Sequence, residues 1–490
     1  MVKPDYDEFL LEIGRLDEIK ATWEWQEEQG PRQRHTEDEI GLSDRDATWV
    51  KTDVARLQRE GLNETELQRL GEILYDALFP GSIAQLFDQA VEAARQHPGR
   101  RLSVSISVDR ENEKVRDWPL EFLRCTSRGG YWLSTTKNNL ITLSRRMQLK
   151  MQDVGYPSHS PPLKVLIVVS KPTDRDPVMT TAIEDIAKWA TTEIAKETYD
   201  IDARLLGHIE AFEQDPALRY LDLPATLENL SQVIDDWSPD VLHFVGHGRF
   251  HREQGDLALV NDAGKVWWCS ARDFAELCVG WRPGLVLLQA CESAKSGAGA
   301  GFWSVAAQLM EHNIPAVVAM QFEIRNDCAT EFARGFYEAL AKGADIDEAV
   351  QRGRWKIAYS SALDVHWSER HFGTPVLFTL GPYGIIHPLS PGPQQMQPSQ
   401  PLVGMSGVVR SYRPEPQPRD VFGTEPSARD LASQLLGKAA KAEKTGQAKL
   451  ADTLTKAALA LLQPDIGDQD RAKQLHDQDK FSGTPSAPGS

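Results

Sequence analysis

The chain has 490 residues, 41% of them apolar, enough for two or three domains' worth of core. Its formal charge of -17 disfavours nucleic acid as the main partner, and five cysteines without framework spacing point to a reducing cytoplasm. Met1 to Leu10 carries Lys3, Asp5, Asp7 and Glu8, so no signal peptide is expected, and no apolar run approaches the roughly 20 residues that span a bilayer.

In chain order, Glu8 to Ile13 and Lys20 to Trp25 read as strands, and Gln29 to Asp46 as a short polar segment. Asn63 and Glu66 have capping-box spacing ahead of Leu67, Leu70, Leu74 and Leu78, which predicts an amphipathic helix ending near Pro80-Gly81. Ser82 and Gln85 repeat that spacing for a second helix through about Arg95. Arg101 to Val108 alternates as a strand, with Trp118 to Leu123 close behind it, and Leu163 to Ser170 is the first strong parallel-sheet strand. Thr181 to Lys196 is helical in pattern, Ile201 to Leu206 reads as a strand, and Thr226 to Trp237 as a helix. Such alternation predicts an α/β fold, a doubly wound and mostly parallel sheet sandwiched by helices.

Two runs then carry the chemistry. Asp-Val-Leu-His-Phe-Val-Gly-His-Gly spans Asp240 to Gly248, and Leu-Val-Leu-Leu-Gln-Ala-Cys-Glu-Ser spans Leu285 to Ser293. Each is a short apolar run ending in a small or polar residue, the pattern of a buried strand whose carboxyl end emerges into a loop. His247 tops one run and Cys291 the other. Sites in open parallel sheets lie outside the carboxyl ends of strands, so neighbouring strands would set imidazole beside thiol. A thiolate attacks carbonyl carbon, but an unassisted cysteine is mostly protonated at neutral pH. A nearby imidazole promotes ionisation and later protonates the leaving group. His247 is thus the expected base and acid, and the amides of Gly248 and Cys291 the expected oxyanion donors. Gly246 and Gly248 flank the histidine and are expected to let the backbone turn tightly. No cofactor is required.

Other readings of these residues compete. A cysteine ending an apolar run is often plain core. Cys269, Cys278, Cys291 and His247 are four potential metal ligands, yet their spacings match no recognised zinc pattern. His243 shares the strand parity of His247 but lies inside the apolar run, which suits a hydrogen-bonded core histidine. Two further readings of function survive: a catalytically silent scaffold that binds other proteins, and a cysteine hydrolase of non-peptide amides or esters.

Between the two runs, Asp256 to Val260 reads as a strand of a small hairpin closed by Asp262-Ala263-Gly264, followed by a helix from about Ser270 to Leu277. Ser296 to Phe302 is glycine-rich but lacks the Gly-Lys-Ser/Thr ending of a phosphate loop, and reads as a flexible loop bordering a cleft. Ile314 to Met320 is the next strand, and Gln321 to Glu331 is rich in acids. Thr330 to Lys342 and Asp345 to Tyr359 read as helices, and Phe372 to Leu380 as a closing strand.

Taken together, His-Phe-Val-Gly-His-Gly, Leu-Gln-Ala-Cys-Glu-Ser, Ile314 to Phe322, Phe336 to Leu340 and, far upstream, Trp118 to Leu123 resemble the CHAT family of caspase-like peptidases. The Gln-Ala-Cys signature has its histidine roughly 50 residues upstream in caspases; here the separation is 291 minus 247, or 44. The resemblance runs from about Tyr6 to Leu380 and implies a caspase-hemoglobinase fold, kin to separases, and peptide-bond hydrolysis. It further implies a prokaryotic defence or cell-death role, with a partner or effector that switches the protease on and a second protein, encoded nearby, that is cut. In related peptidases an acid in the S1 pocket selects a basic P1 residue. Asp327 is the candidate here, against the alternative of an acid at a helix N-terminus.

The expected organisation is an N-terminal part of the CHAT region over 1–160, a caspase-like catalytic part over 161–381 and a Pro/Gly-rich linker over 382–426. A helical hairpin over 427–464 and a disordered tail over 465–490 complete it. A hairpin of that size is marginal alone, so it should pack on the main domain, self-associate or dock a partner. Arg410, Arg413 and Arg419 make the linker a candidate for self-cleavage. No 34-residue repeat marks a tetratricopeptide partner domain.

Overall fold

The structure, a computed structural model, describes residues 6–27, 30–59, 61–97, 100–136, 138, 140–147, 162–175, 201–208, 220–251, 254–278, 280–281, 283–292, 300–360 and 370–381. The expected helix at Thr181 to Lys196, the start of the glycine-rich loop, the linker, the hairpin and the tail lie outside the described residues.

The first three strands are β1 (Tyr6–Ile13), β2 (Glu18–Glu27) and β3 (Gly30–Glu39). β3 occupies most of the segment read as polar, because nearly all of its residues face solvent and leave no apolar alternation to read. The helix α1 (Asp44–Arg59) follows. α2 (Glu64–Leu78) starts at the expected capping box, with both Asn63 and Glu66 bonds formed. α3 (Gly81–Gln96) forms where expected, but its cap does not: Ser82 lies inside the helix and shares a 2.7 Å hydrogen bond with Thr36 on β3.

β4 (Arg101–Val108) precedes a short helix, α4 (Glu113–Arg116), and a 3₁₀ turn at Leu120–Phe122. The two-residue pair β5 (Arg124–Cys125) and β6 (Tyr131–Trp132), then β7 (Ile141–Arg146), complete the N-terminal half. The second half runs β8 (Leu163–Val169), β9 (Ile201–Leu206), β10 (Tyr220–Leu221), α5 (Leu227–Trp237), β11 (Val241–His251), β12 (Gln254–Val260) and β13 (Val266–Ser270). It continues with α6 (Ala271–Glu276), β14 (Leu285–Glu292), α7 (Ala300–Glu311), β15 (Ala316–Met320), α8 (Asn326–Ala341), α9 (Ile346–Tyr359) and β16 (Pro375–Thr379). The end of the glycine-rich stretch is therefore helical from Ala300, not loop.

All but β5 and β6 belong to one sheet of order β10-β9-β8-β11-β14-β15-β16-β7-β4-β1-β2-β3, with the β12–β13 hairpin attached to β11. β8, β9, β11, β14 and β15 are mutually parallel. β16 is antiparallel to β15 but parallel to β7, which continues parallel through β4 to β1. The sheet therefore contains two parallel blocks running in opposite directions and meeting at the β15–β16 pair. Only one block presents its carboxyl ends at the edge where His247 and Cys291 lie.

Helices cover both faces, as the α/β reading requires. On one face, Val165, Val241, Leu287 and Val318 pack with Leu70, Phe87, Phe332, Phe336 and Val350 from α2, α3, α8 and α9. On the other, Leu166, Phe244, Val286 and Val317 pack with Leu230, Phe274 and Leu309 from α5, α6 and α7. α8 and α9 meet at glycines: a Cβ on Gly353 would lie 2.9 Å from the Phe332 carbonyl oxygen, so no larger residue fits without moving a helix. Among the described residues, no helix is long and apolar enough to cross a membrane.

Candidate active site

β11 and β14 each open on an apolar run, broken in β11 by His243, that is buried as far as Val245 and Leu288. Their parallel register makes His247 and Cys291 Cα partners, with Gly248 level with Glu292. Neighbouring strands in a sheet lie about 4.8 Å apart, so the backbone sets the two residues side by side. β8 pairs with β11 only as far as Val245, and β12 takes over that edge from Gly248 onward. His247 falls in the interval between them. The chain leaves β8 toward β9 on one side and leaves β11 toward β14 on the other, so this interval adjoins the point where the winding reverses, the usual place for a site in an open α/β sheet.

The glycines beside His247 do not make a turn. Both are strand residues, and neither takes a positive φ. Gly246 is needed for packing, since a Cβ there would lie 2.8 Å from the Phe244 ring. Gly248 has only ordinary contacts around its Cβ position, 3.5 Å at the nearest, and its neighbours in the sheet are Leu257 and Glu292.

His243 is the hydrogen-bonded core histidine expected from its parity, with no exposure to solvent. The Tyr337 hydroxyl of α8 donates to its Nδ1 at 2.9 Å, and its Nε2 donates to Gln289 Oε1 at 3.2 Å. Burial pushes its pKa down to about 4, against the opposing effect of the Gln289 bond. A neutral ring with one proton on Nε2 satisfies both bonds. This Tyr337–His243–Gln289 chain ends two residues before Cys291. Sequence reading found the histidine but neither partner, because Tyr337 is 94 residues away and is brought in by helix packing.

An unfolded histidine titrates near 6.5 and the folded one near 4, so the stabilisation is complete above pH 6.5 and is lost as pH falls toward 4. Between pH 7 and pH 5 this site should cost the fold about 2 kcal/mol. Urea unfolding at the two pH values is expected to show a loss in wild type that exceeds the loss in His243→Asn by that amount. Equal losses would mean that His243 is protonated in the folded protein.

Cys269 and Cys278 are core residues rather than ligands or nucleophiles, as burial pushes both thiols up to about 12. Cys125 and Cys328 are buried as well. Asp327 lies in the first turn of α8. Arg325 pairs with it at 2.5 Å, and the Cys328 amide donates to it at 2.8 Å. Partial burial raises its pKa, but these hydrogen bonds outweigh the effect and hold it below the usual carboxylate value. Those contacts are what an acid at a helix N-terminus makes.

Just past His247, Arg249 donates from Nε to Asp256 at 2.8 Å and stacks 4.2 Å from the Trp268 ring, binding the β12–β13 hairpin to the end of β11. The hairpin is legible in the sequence, but its aromatic residues carry no mark of this contact.

These features define an α/β protein that juxtaposes a histidine and a cysteine at the carboxyl ends of adjacent parallel strands. The CHAT domain family model matches residues 68–401, and the chain belongs to that family. No curated protein matches the chain. Among solved structures, it is similar to the crystal structure of the Arg-specific cysteine proteinase gingipain R at 10% identity and a TM-score of 0.33, over 70% of this chain and 76% of that one.

Proposed function

We propose that the protein is a cysteine endopeptidase that cuts a partner protein. The observation that carries this reading is the register that makes His247 and Cys291 neighbours at the strand ends. His247 takes the proton of the Cys291 thiol, and the thiolate attacks the scissile carbonyl carbon. The amides of Gly248 and Cys291 are the candidate donors to the oxyanion. Collapse of the tetrahedral intermediate breaks the C–N bond, and the imidazolium protonates the departing amine. Water, activated by the same imidazole, then hydrolyses the thioester and restores the thiol. This sequence needs no cofactor.

In this reading the protease acts in the cytoplasm of a prokaryote, in a defence or cell-death system. A protein or small effector switches it on, and its substrate is encoded nearby. The 427–464 hairpin serves self-association or partner docking, and the arginines of the linker are candidate self-cleavage points. Membership of the CHAT family supports the peptidase assignment.

Thiol reactivity tests the dyad without a known substrate. At pH 7, an unassisted thiol is only a few per cent ionised, so imidazole assistance is worth up to about 30-fold in alkylation rate. Iodoacetamide should label Cys291 rapidly in wild type and about that much more slowly in His247→Ala. Equal, slow labelling of both would favour a scaffold.

A further inference from the structure

Leu288 on β14 pairs with Ala319 on β15, so β15 leaves the sheet at Met320, one strand from Cys291 and at the same edge. Residues Gln321 to Arg325 link it to α8 from that same edge. What holds this link comes from the other half of the sheet. Gln321 Nε2 donates to Glu121 Oε2 at 2.8 Å and to the Gly373 carbonyl at 2.5 Å, and its Oε1 accepts from Arg145 at 3.3 Å. Its backbone amide donates to Thr374 at 3.0 Å. Glu121, fully buried, is gripped by Arg145, with Nε 3.0 Å from Oε1, and lies 3.9 Å from the buried guanidinium of Arg354. The next residue repeats the contact in apolar form: the Phe122 ring packs 6.2 Å from Phe322 and 5.0 Å from Phe372. A Cβ at Gly373 would lie 2.5 Å from the Phe122 ring, so the segment can close on it only as glycine.

We propose that Gln321 is a positioning residue for peptide substrate: Glu121 and Phe122, in the 3₁₀ turn of the N-terminal half, set the wall against which a polypeptide seats beside Cys291. This rests on the cysteine-peptidase reading and gives the Trp118 to Leu123 stretch a role. The ligand is an extended peptide, the substrate class of that reading, whereas small electrophiles should reach the thiol without leaning on the wall.

The test uses the full chain, with Gln321→Met replacing the amide by an apolar side chain of similar length while Glu121 keeps both arginines. Labelling of Cys291 is followed by intact mass with iodoacetamide and with a panel of tetrapeptidyl acyloxymethyl ketones varied at P1. Gln321→Met should leave the iodoacetamide rate within about twofold of wild type. The rate with the best peptidyl ketone should fall between about tenfold and a hundredfold, mainly through a higher half-saturating concentration. Hydrogen exchange at 321–325 should accelerate in the same variant. Peptidyl labelling unchanged, or both probes slowed equally, overturns the proposal. Wild-type labelling by iodoacetamide but by no peptidyl ketone also overturns it and leaves the reactive thiol standing. Labelling by neither reagent defeats the peptidase reading itself.

Discussion

Replacing His247 with alanine is expected to reduce cleavage of the protein's substrate by roughly 10⁴-fold or more, and replacing Cys291 should abolish it. The two losses arise differently. Without Cys291 no thioester can form. Without His247 the thiol stays mostly protonated at pH 7 and the amine leaves without a proton, two penalties that fall on successive steps. The double variant should be no worse than Cys291→Ala, since residues that act as a unit are not additive. Kinetics of the purified single and double variants on one substrate check this, with circular dichroism to confirm folding. A His247→Ala variant retaining a tenth of wild-type activity would assign the base elsewhere.

The second large effect is on stability. Glu121 is fully buried between Arg145 and Arg354, and burial, helped by the Arg145 charge and opposed by the Glu121 carboxylate, holds the Arg354 pKa down at about 10. Arg354 also donates to the carbonyls of Pro375 and Leu143, each at 2.9 Å, so it cannot swing out to water without breaking strand contacts. Glu121→Ala would remove the carboxylate that the buried guanidinium groups of Arg145 and Arg354 share. Removing one member of such a group typically costs about 3–5 kcal/mol, a large share of the roughly 5–15 kcal/mol that a domain has. Urea denaturation should show that loss. Glu121→Gln keeps an acceptor and should lose less. A Glu121→Met/Arg145→Met pair should recover part of the deficit, because apolar groups of similar volume carry no desolvation cost. A loss under 1 kcal/mol in Glu121→Ala would mean that the network contributes little to folding.

How much of this was legible in the sequence follows from what each part depends on. β8, β11 and β14 were legible because strands buried on both faces must be continuous apolar runs. The pairing of His247 with Cys291 in the sheet register followed from where those runs stop. α2 was legible from its capping box, but Ser82 shows the limit: the same spacing yielded no cap, because its hydroxyl found Thr36 on a strand 46 residues earlier. β3 was not legible, being an exposed edge strand whose charged residues satisfy no burial pattern. Nor was the reversal of strand direction at β16, since an apolar pentapeptide carries no mark of its orientation.

Of the site, His243 could be placed by parity, but Tyr337 and Gln289 could not be named as its partners. Glu121 stood in a recognisable motif without an assignable purpose, because its contacts, Arg145, Gln321 and Arg354, lie 24 to 233 residues along the chain and converge only after the sheet forms. Asp327 illustrates the reverse: the sequence allowed a specificity role and a helix N-terminus, and its bonds to Arg325 and Cys328 are those of the latter.

The most direct test of the central claim is incubation of the proteins encoded beside this one with wild-type enzyme and with Cys291→Ala, read by intact mass. The predicted result is a defined cut in one of them with wild type and none with the variant. A cut that persists in Cys291→Ala, or a wild-type protein whose Cys291 is inert to every electrophile and which cleaves nothing, would contradict it.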